Sequence, residues 1–277
     1  MPSGKKSKQA RRAAAATAAA PPPVVSKGAA RRRQANPKVL AIAGAVVAVA
    51  VVGIVLGVVL TRGGGSKIDQ SVPSVGSLAN GLPGAADVEA MYKGIPQQGL
   101  FLGSAKAPVN MVIFIDLQCP ICQNFETTAM PTLVSKYVRT GKLRIETKPW
   151  AFIGPDSVRG QSAMFAAAMQ NKAYNFASVL YDNQGTENTG WLDDSMIASI
   201  AQSVPRMKVH QLLADRSDGS VTRQAASVAA QAKADKVTGT PTVFVGKKGT
   251  KPTLVGAPGS APTLDQVEQA IQAALNS

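Results

Sequence analysis

The residues with the most chemistry to offer lie in "IDLQCPICQNFE", residues 115–126, which holds both cysteines of the 277-residue chain, Cys119 and Cys122. Two thiols three positions apart can cycle between dithiol and disulfide, supply half of a zinc site, or form a structural staple. A structural zinc site takes four ligands. The single histidine, His210, stands alone in a stretch of helical periodicity remote from the pair in sequence. Cysteine–histidine nucleophilic catalysis would have only that same residue to draw on. A disulfide closing so small a loop restricts the unfolded chain little. Redox exchange is the reading these residue types favour, and no metal or cofactor is expected.

The surroundings of the pair sharpen that reading. An apolar run precedes Cys119 and a helical pattern follows it. Pro120 suits a first helical turn, because it lacks an N–H that would go unpaired there. Cys119 then sits where free backbone N–H groups and the positive helix end favour thiolate over thiol. A fall of ~2 in its pKa would stabilise the thiolate by ~2.7 kcal/mol and, acting on the reduced form alone, raise the potential by ~60 mV. Cys119 is the expected attacking thiol. Cys122, on the same side of the first turn, is the expected less exposed, resolving thiol.

The elements that must position the pair follow from hydrophobic patterning. Leu100–Gly103 reads as a short strand. Pro108–Asp116 is nearly continuous in apolar residues, as expected for a strand covered on both faces. A helix is predicted from Pro120 to about Thr140, with a kink or break at Pro131. Lys142–Lys148 alternates as a strand. Five helical stretches follow: Ser157–Gln170, Ala173–Asp182, Asp193–Gln202, Lys208–Arg216 and Val221–Lys236. Thr242–Val245 and "PTLVG" form a hairpin. A last helix begins at Thr263, whose spacing to Gln266 is that of a capping box. The order is that of an α/β fold, a β-α-β unit and a β-hairpin with terminal helix, separated by a helical insertion at about 156–236. The folded domain is placed at 86–277.

Charge and hydropathy organise the remainder. The formal net charge is +14, but residues 1–38 hold ten basic residues and no Asp or Glu. The rest carries 20 basic and 16 acidic residues, so the globular part has no charge excess calling for nucleic acid. Residues 1–38 read as a disordered basic arm. Val39–Leu60 is 22 residues without a charged or polar side chain. As a helix it would span ~33 Å, enough to cross a bilayer. With the basic arm before it, the N-terminus is expected in the cytoplasm and the rest outside, with the segment kept as a membrane anchor rather than cleaved as a signal peptide. Gly53 and Gly57 have the spacing of a helix-packing pair. Residues 61–85, rich in Gly, Pro and Ser, read as a flexible tether.

With these elements placed, the stretch from about Gln97 onward resembles the DsbA-like branch of the thioredoxin superfamily, including its membrane-anchored Gram-positive forms. "LGSAKAPVNMVIFIDLQCPICQNF" matches that family's strand, acidic residue and C-P-x-C helix start, and "GTPTVFVG" its proline-led strand. The five-helix block matches its inserted domain. The resemblance implies a thioredoxin fold with a helical insertion and an outward-facing thiol–disulfide oxidoreductase, in which Cys119 forms the mixed disulfide and Cys122 resolves it. It implies a cis Thr240–Pro241 bond against the cysteines, with the Thr240 backbone free to pair with an extended substrate chain. It assigns Asp116 a tuning or proton-relay role, beside the plainer reading of a solvated strand-end carboxylate. Substrates would be exported proteins with cysteines. Reoxidation would need a quinone-linked membrane protein, DsbB-like or vitamin-K-epoxide-reductase-like. Strongly oxidising members often carry histidine second between the cysteines. Pro120-Ile121 offers no such charge, and a milder oxidant is expected. A reductase or isomerase running the chemistry in reverse, and a redox-inert tethered binding module, are the alternatives.

Overall fold

The computed structural model describes residues 72–79 and 81–277. The expected basic arm (1–38), apolar span (39–60) and first part of the tether lie outside the described residues. Among the described residues no helix is long and apolar enough to cross a membrane.

The central strand is β3 (Val109–Ile115), whose face of Val109, Met111, Ile113 and Ile115 is buried throughout, while the other face is half-buried at Asn110 and Val112 and buried at Phe114. It pairs parallel with β4 (Leu143–Pro149) and antiparallel with β5 (Thr242–Lys247). Two short strands, β1 (Gln97–Gln98) and β2 (Phe101–Leu102), extend the β4 side, and β6 (Thr253–Leu254) pairs with β5. The sheet order is β1-β2-β4-β3-β5-β6. In β4, Leu143 and Ile145 are fully buried while Arg144 and Glu146 are partly exposed, so the alternation legible in the sequence reports its two faces.

Before the sheet lies α1 (Ala85–Tyr92). The β3–β4 crossover carries α2 (Pro120–Thr128), α3 (Met130–Leu133) and a π-helical turn, Val134–Val138. The expected single helix is interrupted at Ala129, two residues before Pro131, whose missing N–H cannot continue the ladder. The insertion comprises α4 (Pro155–Met169), α5 (Ala173–Asp182), α6 (Asp194–Gln202), α7 (Val209–Asp215) and α8 (Gly219–Ala234). The chain closes on α9 (Leu264–Asn276), and both capping-box bonds are made: Gln266 N donates to Thr263 Oγ1 (3.3 Å) and Thr263 N to Gln266 Oε1 (2.9 Å).

Met111, Ile113 and Ile115 of β3 join the main core with Leu133, Val134, Val267 and Ile271. Phe114 turns to the other face and packs with Phe165, Val221 and Val228. The helical insertion therefore covers one side of the strand that delivers the cysteines.

Residues expected to be a flexible tether are docked from Val72 onward. Gly76 N donates to Met207 O and Ser77 N to Gln202 O, each at 2.8 Å, and Val75 forms a bridge with Lys208. A Cβ at Gly76 would lie 2.2 Å from Val204 O, so only glycine allows this approach. His210 Nε2 lies 2.9 Å from Val72 O, which gives the lone histidine a packing role. The folded unit thus begins before Ala86.

Candidate active site

At the end of β3 the chain turns through Asp116–Cys119 into α2. Cys119 caps the helix with extended backbone (φ −75°, ψ 120°), and Pro120 occupies the first turn. Cys119 N donates to Asp116 O, and Gln123 N to Cys119 O, both at 3.0 Å. Cys119 is 5% exposed and Cys122 2%, while Ile121 between them is 55% exposed. Both thiols are unbonded to each other. The Thr240–Pro241 bond is cis, and Thr240 O lies 3.5 Å from Cys119 Sγ, which donates to it in the thiol form. The structure therefore gathers Cys119, Cys122, Pro120, Ile121, Asp116, Thr240 and Pro241 at one end of the sheet.

The two sulfurs are unlike. Cys119 is lowered from the ordinary 9.0 to about 6, and the largest cause is the hydrogen bond from the Cys122 side chain. Burial opposes it, while the Cys122 and Ile121 backbone N–H groups and Thr240 add to it. Those N–H groups are the free donors of the helix start. Cys122 is raised well above its ordinary value, first by burial and then by Cys119 beside it. A thiolate backed by a protonated neighbouring thiol has the chemistry for nucleophilic attack followed by resolution.

Asp116 is not a solvated carboxylate. It is fully buried. Oδ1 accepts from Gln118 N (3.0 Å), and Oδ2 from Phe152 N (3.0 Å) and Ile153 N (3.2 Å). Three backbone donors tie the loop after β4 to the cysteine turn, and in that loop Phe152 stacks on Trp150 with centroids 4.5 Å apart.

Several supporting residues escaped the sequence reading. Gln118 is fully buried. Its Nε2 donates to Ser157 Oγ (2.8 Å), and its Oε1 accepts from Asn188 N (2.9 Å), so it joins the turn to the insertion. Tyr181 Oη donates to Asp116 O (3.0 Å), and Gln123 Nε2 to Tyr181 O (2.7 Å). A polar residue directly before the first cysteine was the one available signal for Gln118. Farther along α2, Glu126 accepts from Ser178 Oγ (2.6 Å) and Tyr92 Oη (3.2 Å). Burial, and after it the charge of Asp182, pushes the Glu126 carboxyl upward. It lines a groove of about 700 Å³ with Asp87 and Asp182, and neither cysteine reaches that groove.

A family model described as Thioredoxin matches residues 96–273. The chain belongs to the thioredoxin family. Within this thioredoxin-family chain, 154 residues are 30% identical to the probable disulfide bond formation protein D of Bacillus cereus, covering 54% of this chain and 71% of that protein. In fold it resembles the crystal structure of oxidised BdbD from Bacillus subtilis (TM-score 0.57, 18% identity, 66% of this chain and 98% of that one). It also resembles Chlamydia trachomatis DsbA (TM-score 0.56, 20% identity, 64% and 91%). The likeness to DsbA is one of fold, while the family match and the relative named for disulfide bond formation support the enzyme class, protein thiol–disulfide oxidoreductase.

Proposed function

We propose that the chain is a membrane-anchored, extracytoplasmic oxidoreductase that passes its Cys119–Cys122 disulfide to exported proteins. The observation that carries this reading is the opposite displacement of the two thiols, Cys119 to about 6 and Cys122 upward. In the oxidising direction a substrate thiolate attacks Cys119 Sγ, the Cys119–Cys122 bond breaks, and Cys122 leaves and takes up a proton. A second substrate thiolate then attacks the substrate sulfur of the mixed disulfide. The new substrate disulfide forms and Cys119 departs as a thiolate, which its low pKa makes a good leaving group. The Thr240 carbonyl beside Cys119 Sγ is an acceptor for an extended substrate backbone.

The two electrons left on the pair must go to another protein. A quinone-linked membrane partner, DsbB-like or vitamin-K-epoxide-reductase-like, fits an enzyme held to a membrane by residues 39–60. The test is Cys122→Ala in cells of the source organism. Exported cysteine proteins, and a membrane quinone-linked protein, should accumulate as mixed disulfides on Cys119 that a reductant releases. Absence of such adducts, with a Cys119→Ser variant that still complements a deletion, would instead mark a tethered binding module. A potential near thioredoxin's, about −270 mV, would turn the direction towards reduction.

A further inference from the structure

The cations of the folded domain are unevenly placed. Residues 72–277 carry 18 basic and 15 acidic residues, close to balance. The end of the sheet opposite the cysteines is nevertheless built from chain stretches without carboxylate side chains. Residues 90–115, 127–145, 236–264 and 269–277 contain no Asp or Glu.

The sheet register collects basic side chains there. The first residue of β3, Val109, pairs with Leu143 and Lys247, and its N–H donates to Lys142 O (3.2 Å). Lys248 N donates to Pro108 O (2.7 Å), and its Nζ to Ala105 O (2.8 Å), the neighbour of Lys106. Arg139 donates to Met91 O (2.7 Å) and Lys93 O (3.0 Å), which brings Lys93 to the same end. The turn from β5 to β6 adds Lys251. All seven side chains are exposed. Lys247 Nζ bonds Ser277 O, and nearby Lys136 is paired with Glu268.

We propose that this basic pole is a docking face for an anionic lipid surface, with the cysteines at the opposite end turned away from the bilayer and towards arriving substrates. Charge complementarity identifies the partner, and the chain supplies proximity. The apolar segment ends at Leu60 and the described fold begins at Val72, so 11 residues intervene. Fully extended they reach at most about 40 Å. A domain held that close to a lipid surface meets it at high effective concentration, and weak attraction suffices. Each Lys or Arg reaching an anionic leaflet strengthens binding about fivefold. The pole therefore acts over the short range in which the tether already confines it. The proposal rests on the anchoring of residues 39–60 and not on the direction of electron flow.

Lysine footprinting of the full chain tests it. The protein is placed in nanodiscs of phosphatidylglycerol or of phosphatidylcholine and acetylated briefly with a water-soluble amine reagent. Modification of Lys106, Lys142, Lys247, Lys248 and Lys251 is compared with that of Lys233 and Lys236, exposed lysines at the end of α8 and just beyond it. The ratio of pole to control labelling is expected to fall at least about fivefold in phosphatidylglycerol. It should recover in high salt, where the Debye length shrinks to about 3 Å at 1 M. Reversal of the turn by Lys247→Glu, Lys248→Glu and Lys251→Glu should abolish the protection while oxidation of a soluble reduced substrate continues. Equal ratios in the two lipids would overturn the proposal. So would protection by a soluble polyanion but not by phosphatidylglycerol, which would assign the pole to a wall polymer. The ratio is read without any disulfide exchange, so inactivity of the cysteines would leave this result standing.

Discussion

The ionisation of Cys119 gives a direct measure of what the neighbouring thiol does. With a pKa of about 6, Cys119 is ~90% thiolate at pH 7, whereas at the ordinary 9.0 it would be ~1%. The largest contribution is the hydrogen bond from the Cys122 side chain, which Cys122→Ala removes while the Ile121 N–H and residue 122 N–H remain. A hydrogen bond to a charged group contributes ~1.5–3 kcal/mol, which places the Cys119 pKa of the variant between ~7 and ~8. Its thiolate fraction at pH 7 should then be ~10–50%. The assay is the rate of iodoacetamide alkylation against pH, on reduced wild type and variant, with thiolate absorbance as an independent readout. Wild type should show its midpoint near 6 and the variant a midpoint displaced upward. Coincident midpoints would refute the assignment to Cys122. A wild-type midpoint near 9 would refute the activation of Cys119 altogether.

Two further outcomes follow from the same geometry. Reduced protein should gain stability with rising pH between about 6 and 9, because unfolded Cys119 still holds its proton in that window and folded Cys119 does not. The Cys119 contribution is fully present above the unfolded value and lost as pH falls through about 6, while above about 9 Cys122 works against it, because unfolded Cys122 ionises and folded Cys122 keeps its proton. The disulfide form has no such titration, so urea unfolding of both redox forms across this range should show the slope in the reduced one alone. Asp116→Ala strips the acceptor from the Gln118, Phe152 and Ile153 N–H groups and should destabilise the domain by about 3 kcal/mol or more, with amide exchange accelerating at 152 and 153.

Elements whose stability is written in their own periodicity were legible. The continuous apolar run of β3, the alternation of β4 and the spacing of Thr263 and Gln266 each specify local geometry, and each element formed within a few residues of its expected bounds. Elements ordered by distant partners were not. Residues 72–79 have the composition of a tether. They are held by Gln202, Met207 and Val209, more than 100 residues away in sequence. Helix α1 spans only Ala85–Tyr92, and its last residue is fixed by Glu126 and Ser178 on two other helices. Neither set of partners leaves a mark on the segment it orders.

The site divides along the same line. The cysteines were legible because the feature that activates Cys119 is partly local: a helix start supplies its N–H donors from the next few residues. That logic gives the direction of the shift but not the ranking of its causes, in which the Cys122 thiol stands ahead of the backbone. The order matters for the residues between the cysteines. Ile121 brings no charge, and charge alone would make this a weak thiolate site. Its backbone N–H still points to Cys119, and the main donor is the partner thiol. Buried Cys122 keeps its proton because burial raises it, and a retained proton is what allows it to donate. The asymmetry of the pair is therefore self-reinforcing: the thiol that cannot ionise stabilises the ionised form of the one that can.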